Sequence, residues 1–214
     1  MWLPGPYSCS YSHLSVDEGD VAVLVLLDLS SAFDTVDHGI LLRRLEVSFG
    51  ITGHALDWFR SYLTGRTQYT RLGTHRSPIS FLTCNVPQGS VLGPVLFLLY
   101  SADLQDIIIK HSLCPHLYAD DTQIYGSCHP NDIDQLEECV STCIDEVAGW
   151  MRANRLQLNT AKTEVIWFAT NRRRSQLPST GLRICNDIII PSKSVQDLGV
   201  HLDSDLTMKT HVNR

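Results

Sequence analysis

The sequence predicts one α+β domain, on the evidence of its size, its composition and the order of its apolar segments. It has 214 residues, of which 43% are hydrophobic, so the chain can bury a real core. Strand-like and helix-like segments follow one another in the order β-α-α-β-β-α-β-α-β. Few of them keep the strict strand–helix–strand rhythm of a parallel sheet, which favours an α+β fold over an α/β fold.

The first half of the chain is expected to contain a loop, a buried strand, two helices and two further strands. The buried strand is a valine-rich apolar run that is too short for a typical helix. The second helix has a capping threonine, a terminating glycine and apolar residues on one face. The expected elements are the loop 1–20, the strand Val21–Leu29 and the helix Ile40–Leu45. A second helix is capped by Thr52, ends at Gly65 and has Leu56, Phe59 and Leu63 on one face. The strands Gln68–Leu72 and Ile79–Val86 follow, joined by a turn that contains Pro78.

The second half begins with a turn and an apolar helix and ends in short strands. A long helix in its middle is predicted by apolar residues at helical spacing, namely Ile133, Leu136, Val140, Cys143, Val147 and Met151. The other expected elements are the helix Gly93–Ile109, the strand His116–Tyr125 interrupted by two aspartates, an N-cap at Asn131, and the strands Val165–Ala169, Arg183–Ile190 and Asp197–Leu202.

Composition restricts the classes of protein to consider. The formal net charge is −6, from 17 Lys and Arg against 23 Asp and Glu, which argues against a self-sufficient nucleic-acid binder. The seven cysteines fit no zinc spacing, so buried free thiols in a reducing compartment are expected. No apolar run reaches the length of a membrane span and the N-terminus lacks a signal-peptide start, so we expect an intracellular protein.

Three aspartates stand in apolar surroundings where each needs a partner. Asp120 and Asp121 are adjacent within a strand-like segment, and a tight hairpin can direct both toward one site. Two carboxylates about 4 Å apart repel by roughly 4 kcal/mol at an effective dielectric of about 20, and a divalent cation such as magnesium removes that conflict. Asp28 ends the buried strand. Together the three can form a two-metal site for displacement at phosphorus. The alternatives are a solvated turn for the pair and a helix cap for Asp28.

Four blocks in this order identify a family resemblance. They are LVLLDLSSAFDTVDH (24–38), VPQGSVLGPVLFLLYSADL (86–104), LYADDTQIY (117–125) and WMRANRLQLNTAKTEVIWF (150–168). Together they resemble the reverse transcriptases of non-LTR (LINE-type) retrotransposons. The resemblance implies a polymerase palm, with a ferredoxin-like antiparallel sheet and helices packed on one face, over residues 21–170. Residues 1–20 would be a remnant and 171–214 a post-palm segment of short strands, with fingers and thumb largely missing.

The resemblance also implies roles for individual residues. Asp28, Asp120 and Asp121 would hold two Mg²⁺ ions, with Mn²⁺ as a substitute. The remaining assignments are Phe33 as a gate against the nucleotide 2′-hydroxyl, Gln88 and Gly89 against the incoming nucleotide and template, Tyr118 near the primer end, Lys162 at the leaving pyrophosphate, Arg66 on phosphate, and residues 194–202 near the primer strand. Each role has a plainer alternative. Phe33 could be a core residue, Gln88 and Gly89 an ordinary turn, Lys162 an exposed loop residue and Arg66 a solvated side chain. Asp34 receives no metal role, and Asp37 is interpreted as a surface residue.

One residue departs from the family pattern. Asn85 stands where the family has glycine before the Pro-Gln-Gly turn, and asparagine tolerates left-handed backbone angles better than most residues. The implied activity is RNA-directed DNA synthesis with an RNA template, a DNA primer and dNTPs, without a membrane, in a nuclear or cytoplasmic ribonucleoprotein. The isolated chain is expected to be weakly active or inactive.

Two rival functions stay open. One is a non-catalytic, truncated retroelement product that binds nucleic acid or a partner. The other is a different palm-type nucleotidyl transferase or cyclase, against which the Pro-Gln-Gly block and Phe33 argue.

Overall fold

The computed structural model describes residues 19–87, 89–170, 172–178 and 180–213. Its helices are α1 Ala32–Thr35, α2 His38–Val47, α3 Gly53–Leu63, α4 Leu92–Ser101, α5 Leu104–Lys110, α6 Ile133–Ala153 and α7 Lys209–Val212. Its strands are β1 Val21–Leu27, β2 Thr67–Gln68, β3 Arg71–Leu72, β4 His75–Arg76, β5 Ser80–Phe81, β6 Cys114–Tyr118, β7 Asp121–Cys128, β8 Glu164–Phe168, β9 Leu182–Ile184, β10 Asp187–Ile189, β11 Ser194–Asp197 and β12 Val200–Asp203.

The main sheet has four antiparallel strands in the order β6-β7-β1-β8. Strand β1 lies inside the sheet, where its apolar residues are covered on both faces, as the sequence predicts. Numbered along the chain, the four strands have the spatial order 2-3-1-4, which is the ferredoxin-like order. The predicted α+β, palm-like fold is therefore confirmed.

The two faces of the sheet are covered by different elements. Val23 and Val25 of β1 face a large core formed with the helices. Leu24 faces the opposite way, into a smaller cluster that includes Val195 of β11. Because side chains alternate along a strand, helices cover one face and the β11–β12 hairpin covers the other. The prediction of helices on one face is confirmed.

Helix α6 follows the predicted pattern, but it begins differently. Its buried residues include all six of the predicted apolar positions. Asn131 was expected to cap the helix, and this is wrong because Asn131 lies inside a 3₁₀ turn, Pro130–Asp132. The ring of His129 accepts the Asn131 backbone N–H at 3.3 Å, and Asp132 takes the N-cap position without a side-chain hydrogen bond.

Buried polar contacts tie α2, α4 and α6 together. The hydroxyl of Tyr100, which is fully buried on α4, donates to the Asn154 carbonyl at the end of α6 at 2.6 Å. The Asn154 side chain accepts from the Arg44 guanidinium of α2 at 2.8 Å. Asp37 is half-buried, caps α2 through the Ile40 N–H at 2.9 Å and pairs with Arg155 at 3.2 Å. The interpretation of Asp37 as a surface residue is therefore wrong.

Several predicted elements are divided in the structure. The two strands expected around Pro78 are four two-residue strands, β2 to β5, because the main turn lies at Gly73 (φ 59°) and Pro78 cannot donate to a ladder. The strand expected at Arg183–Ile190 is the β9–β10 hairpin, and the strand expected at Asp197–Leu202 is part of β11–β12. Both hairpins turn at residues with positive φ. In the second hairpin, Gly199 is a residue type that favours such a turn and is visible in the sequence.

The apolar segment after the Pro-Gln-Gly turn forms two helices instead of one. Helices α4 and α5 meet at an angle of 41°, and Asp103 at the break pairs with Arg44 at 3.2 Å. Within the described ranges, no single helix is long and apolar enough to cross a membrane, and only this bent pair passes by length and composition when its halves are taken together. The six cysteines in the described part of the chain are free thiols, but the expectation that they are buried is met by Cys143 alone among them, and the other five are partly buried.

Candidate active site

The Tyr-Ala-Asp-Asp segment is a tight hairpin between β6 and β7. Tyr118 pairs with Asp121, so the turn itself contains only Ala119 and Asp120. Ala119 has a φ of 53°, the left-handed value that a two-residue hairpin requires at this position. The turn therefore places the two acidic residues at the same end of the sheet.

Asp28 lies at that end as well. Leu27, the last residue of β1, pairs with Thr122 of β7, so Asp28 follows directly beside the hairpin. Its backbone carbonyl accepts from the Asn159 N–H at 2.9 Å, and its Oδ2 accepts from the Asn159 side-chain amide at 3.1 Å. Pairing of β1 with β7 thus brings Asp28 beside Asp120 and Asp121, which are adjacent in the sequence and far from Asp28 along the chain.

The electrostatics of this cluster are unfavourable for an anion. Loss of hydration raises the pKa of the Asp121 carboxyl above its usual range, and the neighbouring carboxylates of Asp120, Asp197 and Asp28 raise it further. A cation at this position would relieve the repulsion, and the oxygen donors suit a hard divalent ion. In the described part of the chain, no three His, Cys, Asp or Glu side chains are yet close enough together to hold one ion. The donor chemistry therefore fits a metal, while a complete ligand set is not formed.

Lys162 lies beside the first of these carboxylates. Its ammonium nitrogen is 3.8 Å from Oδ2 of Asp28, and its side chain is 70% exposed. Lys162 and Asp28 line a cavity of about 140 Å³ together with Asp121, Gln123 and Asp197. An exposed lysine in this cavity can reach a bound anion, and its role at a leaving pyrophosphate stays a prediction.

Two contacts at the site were missed by the sequence interpretation. Asn159 holds Asp28, although in the sequence it looks like any turn residue of the fourth block. Gln123 is buried, donates its side-chain amide to Asp197 and accepts at its oxygen from the Tyr125 hydroxyl at 2.6 Å. Burial raises the pKa of Asp197, an effect that nearby His116 opposes. A glutamine inside an apolar strand is a signal that could have suggested such a network.

The nucleotide-side residues lie on the connection into α4. Phe33 of α1 is partly buried, with its ring 5.3 Å from the ring of Phe97. Its carbonyl accepts from the Val86 N–H at 2.9 Å, so the segment before the Pro-Gln-Gly turn lies against α1. Asn85 has a φ of 107°. It therefore adopts the positive backbone angle that asparagine, standing in place of glycine, was expected to tolerate. Gly89 has a φ of 78°, and a Cβ added there would meet no atom within 4 Å. Gln88 lies outside the described residues.

Tyr118 and Arg66 have different relations to the carboxylates. Tyr118 is 60% exposed and is the cross-strand partner of Asp121, so it lies at the hairpin end. Arg66 follows α3, with its guanidinium 5.6 Å from the centre of the Tyr62 ring, and it does not line the 140 Å³ cavity. Arg66 therefore belongs to a different surface from the one formed by the aspartates.

Comparisons with protein families and curated proteins identify the family of the chain. A family model described as reverse transcriptase (RNA-dependent DNA polymerase) matches residues 6–202. The chain is 26% identical over 205 residues to the RNA-directed DNA polymerase from mobile element jockey of Drosophila funebris, covering 92% of this chain and 21% of that protein. It is 30% identical over 193 residues to the probable RNA-directed DNA polymerase from transposon X-element of Drosophila melanogaster, covering 88% and 20%. The chain thus spans about a fifth of the length of these relatives.

Solved structures with a similar fold include two telomerases. The apo telomerase of Candida tropicalis gives a TM-score of 0.63 at 13% identity, covering 94% of this chain and 38% of that one. The telomerase of Candida albicans in complex with a fragment of telomeric RNA gives 0.57 at 14% identity, covering 87% and 30%. At these identities the likeness concerns the fold alone.

Proposed function

Because the chain belongs to the reverse transcriptase (RNA-dependent DNA polymerase) family, we propose that it is the palm of an RNA-directed DNA polymerase from a non-LTR retrotransposon. The observation that carries this proposal is the meeting of Asp28, Asp120 and Asp121 at one end of the paired strands β1 and β7. Loss of hydration raises the pKa of Asp121, and repulsion from the neighbouring carboxylates raises it further, as expected at a site where a cation would compensate the negative charge.

In the proposed reaction, the primer 3′-oxygen attacks the α-phosphorus of a dNTP. A new oxygen–phosphorus bond forms, the bond to pyrophosphate breaks, and the 3′-hydroxyl proton is released. Magnesium held by the three aspartates would supply activation of the attacking oxygen and charge stabilisation on the leaving one. Asn159 holds the Asp28 carboxylate in place through its 3.1 Å hydrogen bond. Lys162, 3.8 Å from that carboxylate, is positioned to protonate the leaving pyrophosphate or balance its charge.

The other residues in the proposal act on the nucleotide and the primer. Phe33 restricts the space for a 2′-hydroxyl, and its ring is supported by Phe97. Gly89, which has a positive φ and where an added Cβ would meet no atom within 4 Å, lets backbone approach the nucleotide closely. Tyr118 lies at the hairpin end, where it can brace the primer terminus.

The test is primer extension by the purified chain on an RNA template with dNTPs and Mg²⁺. Asp120→Asn should reduce the rate by on the order of 100-fold or more, the cost of losing one group that stabilises charge in the transition state. Asp106→Asn, an exposed carboxylate on α5, is the matched control and should extend the primer at the wild-type rate. Equal product from Asp120→Asn and wild type would refute the assignment.

A readout independent of activity tests the metal. Mg²⁺ should raise the melting temperature of the wild type and of Asp106→Asn, because an ion bound only by the folded state stabilises it. The shift should be smaller for Asp120→Asn. A shift of the same size in all three proteins would mean that the ion does not bind at the aspartates.

A second candidate function stays open. It is a non-catalytic nucleic-acid binder descended from such an enzyme, which would need no bound metal. RNA binding without primer extension, and without a Mg²⁺-dependent melting shift, would support this second candidate.

A further inference from the structure

One stretch of this acidic chain contains no acidic residue. Residues 58–102 include no Asp or Glu, whereas the chain as a whole has 23 of them. The same stretch contains four arginines, Arg60, Arg66, Arg71 and Arg76. In the ranges that the structure describes, no ion pair involves any of the four. Positive charge is therefore concentrated here without a protein partner to neutralise it.

The arginines lie on and around a projecting β-ribbon formed by residues 66–82. The Leu82 N–H donates to the Arg66 carbonyl at 2.9 Å and closes the base of this 66–82 ribbon. Strand β2 pairs with β5 and β3 with β4, and every residue from 67 to 81 is exposed. A two-stranded ribbon without a packed face is marginally stable alone, so this one is suited to a partner that covers it.

The register of the ribbon places two like charges side by side. Arg71 is the direct cross-strand partner of Arg76. Like charges in directly opposed positions destabilise a β-pair, and here no described carboxylate lies between them. An anion bound across both guanidinium groups would remove this penalty, and the forked guanidinium matches a phosphate oxygen pair well.

Aromatic rings lie beside these charges. The Arg76 guanidinium is 3.5 Å from the centre of the Tyr69 ring, which is 47% exposed. On α3, the exposed ring of Trp58 stacks on the partly buried ring of Tyr62 at 5.4 Å and 10°, and Arg66 lies over Tyr62. Phe81 is 76% exposed. Exposed rings interleaved with arginines are the pattern that binds unpaired bases and their phosphates.

The ribbon also leads directly into the nucleotide-side segment of the candidate site. After Leu82, Cys84 forms a bridge with Asp37 and Val86 donates to the Phe33 carbonyl. A strand held on the ribbon is thus one short connection away from the Gly89 turn. An acidic peptide would satisfy the arginines but would offer no planar faces to the rings, so a nucleic-acid strand fits the surface better.

We propose that the 66–82 ribbon, with the Trp58–Tyr62 face of α3, binds single-stranded RNA. The identification of that RNA as the template rests on the proposed polymerase function. The ligand is recognised by its phosphates at Arg71 and Arg76 and by its unstacked bases at the exposed rings.

The experiment measures binding of a fluorescent single-stranded oligouridylate to the full chain over a range of salt concentrations. Arg71→Ala/Arg76→Ala should weaken binding and reduce the magnitude of the slope of log K against log salt by about 1.4. Each phosphate contact with a single strand contributes about 0.7, and this variant removes two contacts. The control Arg43→Ala/Arg152→Ala removes two exposed arginines elsewhere and should keep the wild-type slope. A slope in Arg71→Ala/Arg76→Ala equal to that of the wild type would overturn the inference, and so would wild-type chain that binds no oligouridylate at low salt.

The stacking contribution has its own test. Tyr69→Ala/Phe81→Ala should weaken binding roughly 10-fold or more, at about 1–3 kcal/mol per stacked base, without changing the salt slope. Duplex RNA should compete poorly because its bases are already stacked. Equal competition by the duplex, or tighter binding of single-stranded DNA than of RNA, would overturn recognition of an unpaired RNA strand. Since these side chains are exposed, melting temperatures close to wild type should show that the variants are folded.

Failure of this inference can be told apart from failure of the proposed function. Asp120→Asn should bind oligouridylate with the wild-type salt slope while failing to extend a primer. If the wild type extends a primer and the ribbon variants bind RNA as the wild type does, the ribbon assignment is overturned and the proposed function is not. If the wild type never extends a primer but binds RNA, and the ribbon variants lose that binding, the ribbon assignment stands and the proposed function fails.

Discussion

Ala119 occupies the first central position of the β6–β7 turn, where its positive φ sets the direction of both neighbouring acidic residues. Left-handed backbone costs an L-residue about 1–2 kcal/mol, and glycine avoids that cost. The backbone angle at Ala119 thus helps to determine where the carboxylates of Asp120 and Asp121 lie.

We predict that Ala119→Gly stabilises the protein by roughly 0.5–1 kcal/mol, because glycine adopts the positive φ without strain. Ala119→Val should destabilise it and reduce primer extension, because a β-branched side chain is poorly tolerated at positive φ. Urea denaturation monitored by circular dichroism measures both effects. A stability of Ala119→Val at or above that of the wild type would show that the turn is not strained.

At the scale of elements, helix α4 depends on a close approach between its first turn and the Pro-Gln-Gly segment. A Cβ added at Gly93 would lie 2.9 Å from the Pro87 carbonyl oxygen and 3.2 Å from Ser90 Oγ. The Ser90 hydroxyl donates to the Pro87 carbonyl at 2.6 Å and accepts from the Gly93 N–H at 3.0 Å. The turn and the helix therefore form one hydrogen-bonded unit, in which there is no room for a side chain at position 93.

Gly93→Ala should displace this turn, because the backbone carbonyl that it meets cannot move aside as a flexible side chain can. We expect a loss of stability of about 1–3 kcal/mol, as for other overpacked sites. In primer extension, the KM for dNTP should rise more than kcat falls, since the Gly89 region moves while the aspartates stay. Pro94→Ala, at an exposed neighbour, serves as the control. An unchanged KM in Gly93→Ala would separate the turn from nucleotide binding.

At the scale of the whole molecule, a thiol in the buried core contributes to the response of stability to pH. Cys143 is fully buried on α6, and burial, followed by the effects of Cys139 and Glu146, raises the pKa of its thiol from 9.0 to about 12. The unfolded chain therefore ionises this thiol first as pH rises. The folded state binds the proton more tightly, so stability is unaffected below about pH 9 and falls between about pH 9 and 12.

For this thiol the loss should be about 1.4 kcal/mol per pH unit within that window. Cys143→Val keeps a small apolar side chain and should lie within about 1.5 kcal/mol of the wild type at neutral pH. Its free energy of unfolding should then decline less steeply between pH 9 and 10.5. Urea denaturation under reducing conditions measures the two slopes, and equal slopes would mean that Cys143 does not contribute.

The distribution of charge over the molecule matters more than its sum. A net charge of −6 argued against nucleic-acid binding, yet residues 58–102 carry four arginines and no acidic residue. The acidic residues include the three that meet at the end of β1 and β7. Binding depends on local potential, so the total charge could not decide the question.

The sequence by itself determined the family, the α+β class, strand β1, the amphipathic helix α6 and the tight hairpin around Asp120 and Asp121. These features are local, since apolar spacing, turn residues and short motifs are written in consecutive positions. It did not determine the four short strands of the ribbon, the break between α4 and α5, or the end of the 3₁₀ turn before α6. There, weak local preferences competed with contacts made by distant residues, such as the pairing of Asp103 with Arg44.

Only the tertiary structure decided which side chains share a site. The hydrogen bond from Asn159 to Asp28, the contact of Gln123 with Asp197, and the opposition of Arg71 and Arg76 each depend on strand register or on packing between distant segments. The hairpin of residues 194–203 covers the second face of the sheet because Val195 packs against Leu24, a pairing that no periodicity encodes. Local sequence fixes what each segment can form, and long-range packing selects which segments meet.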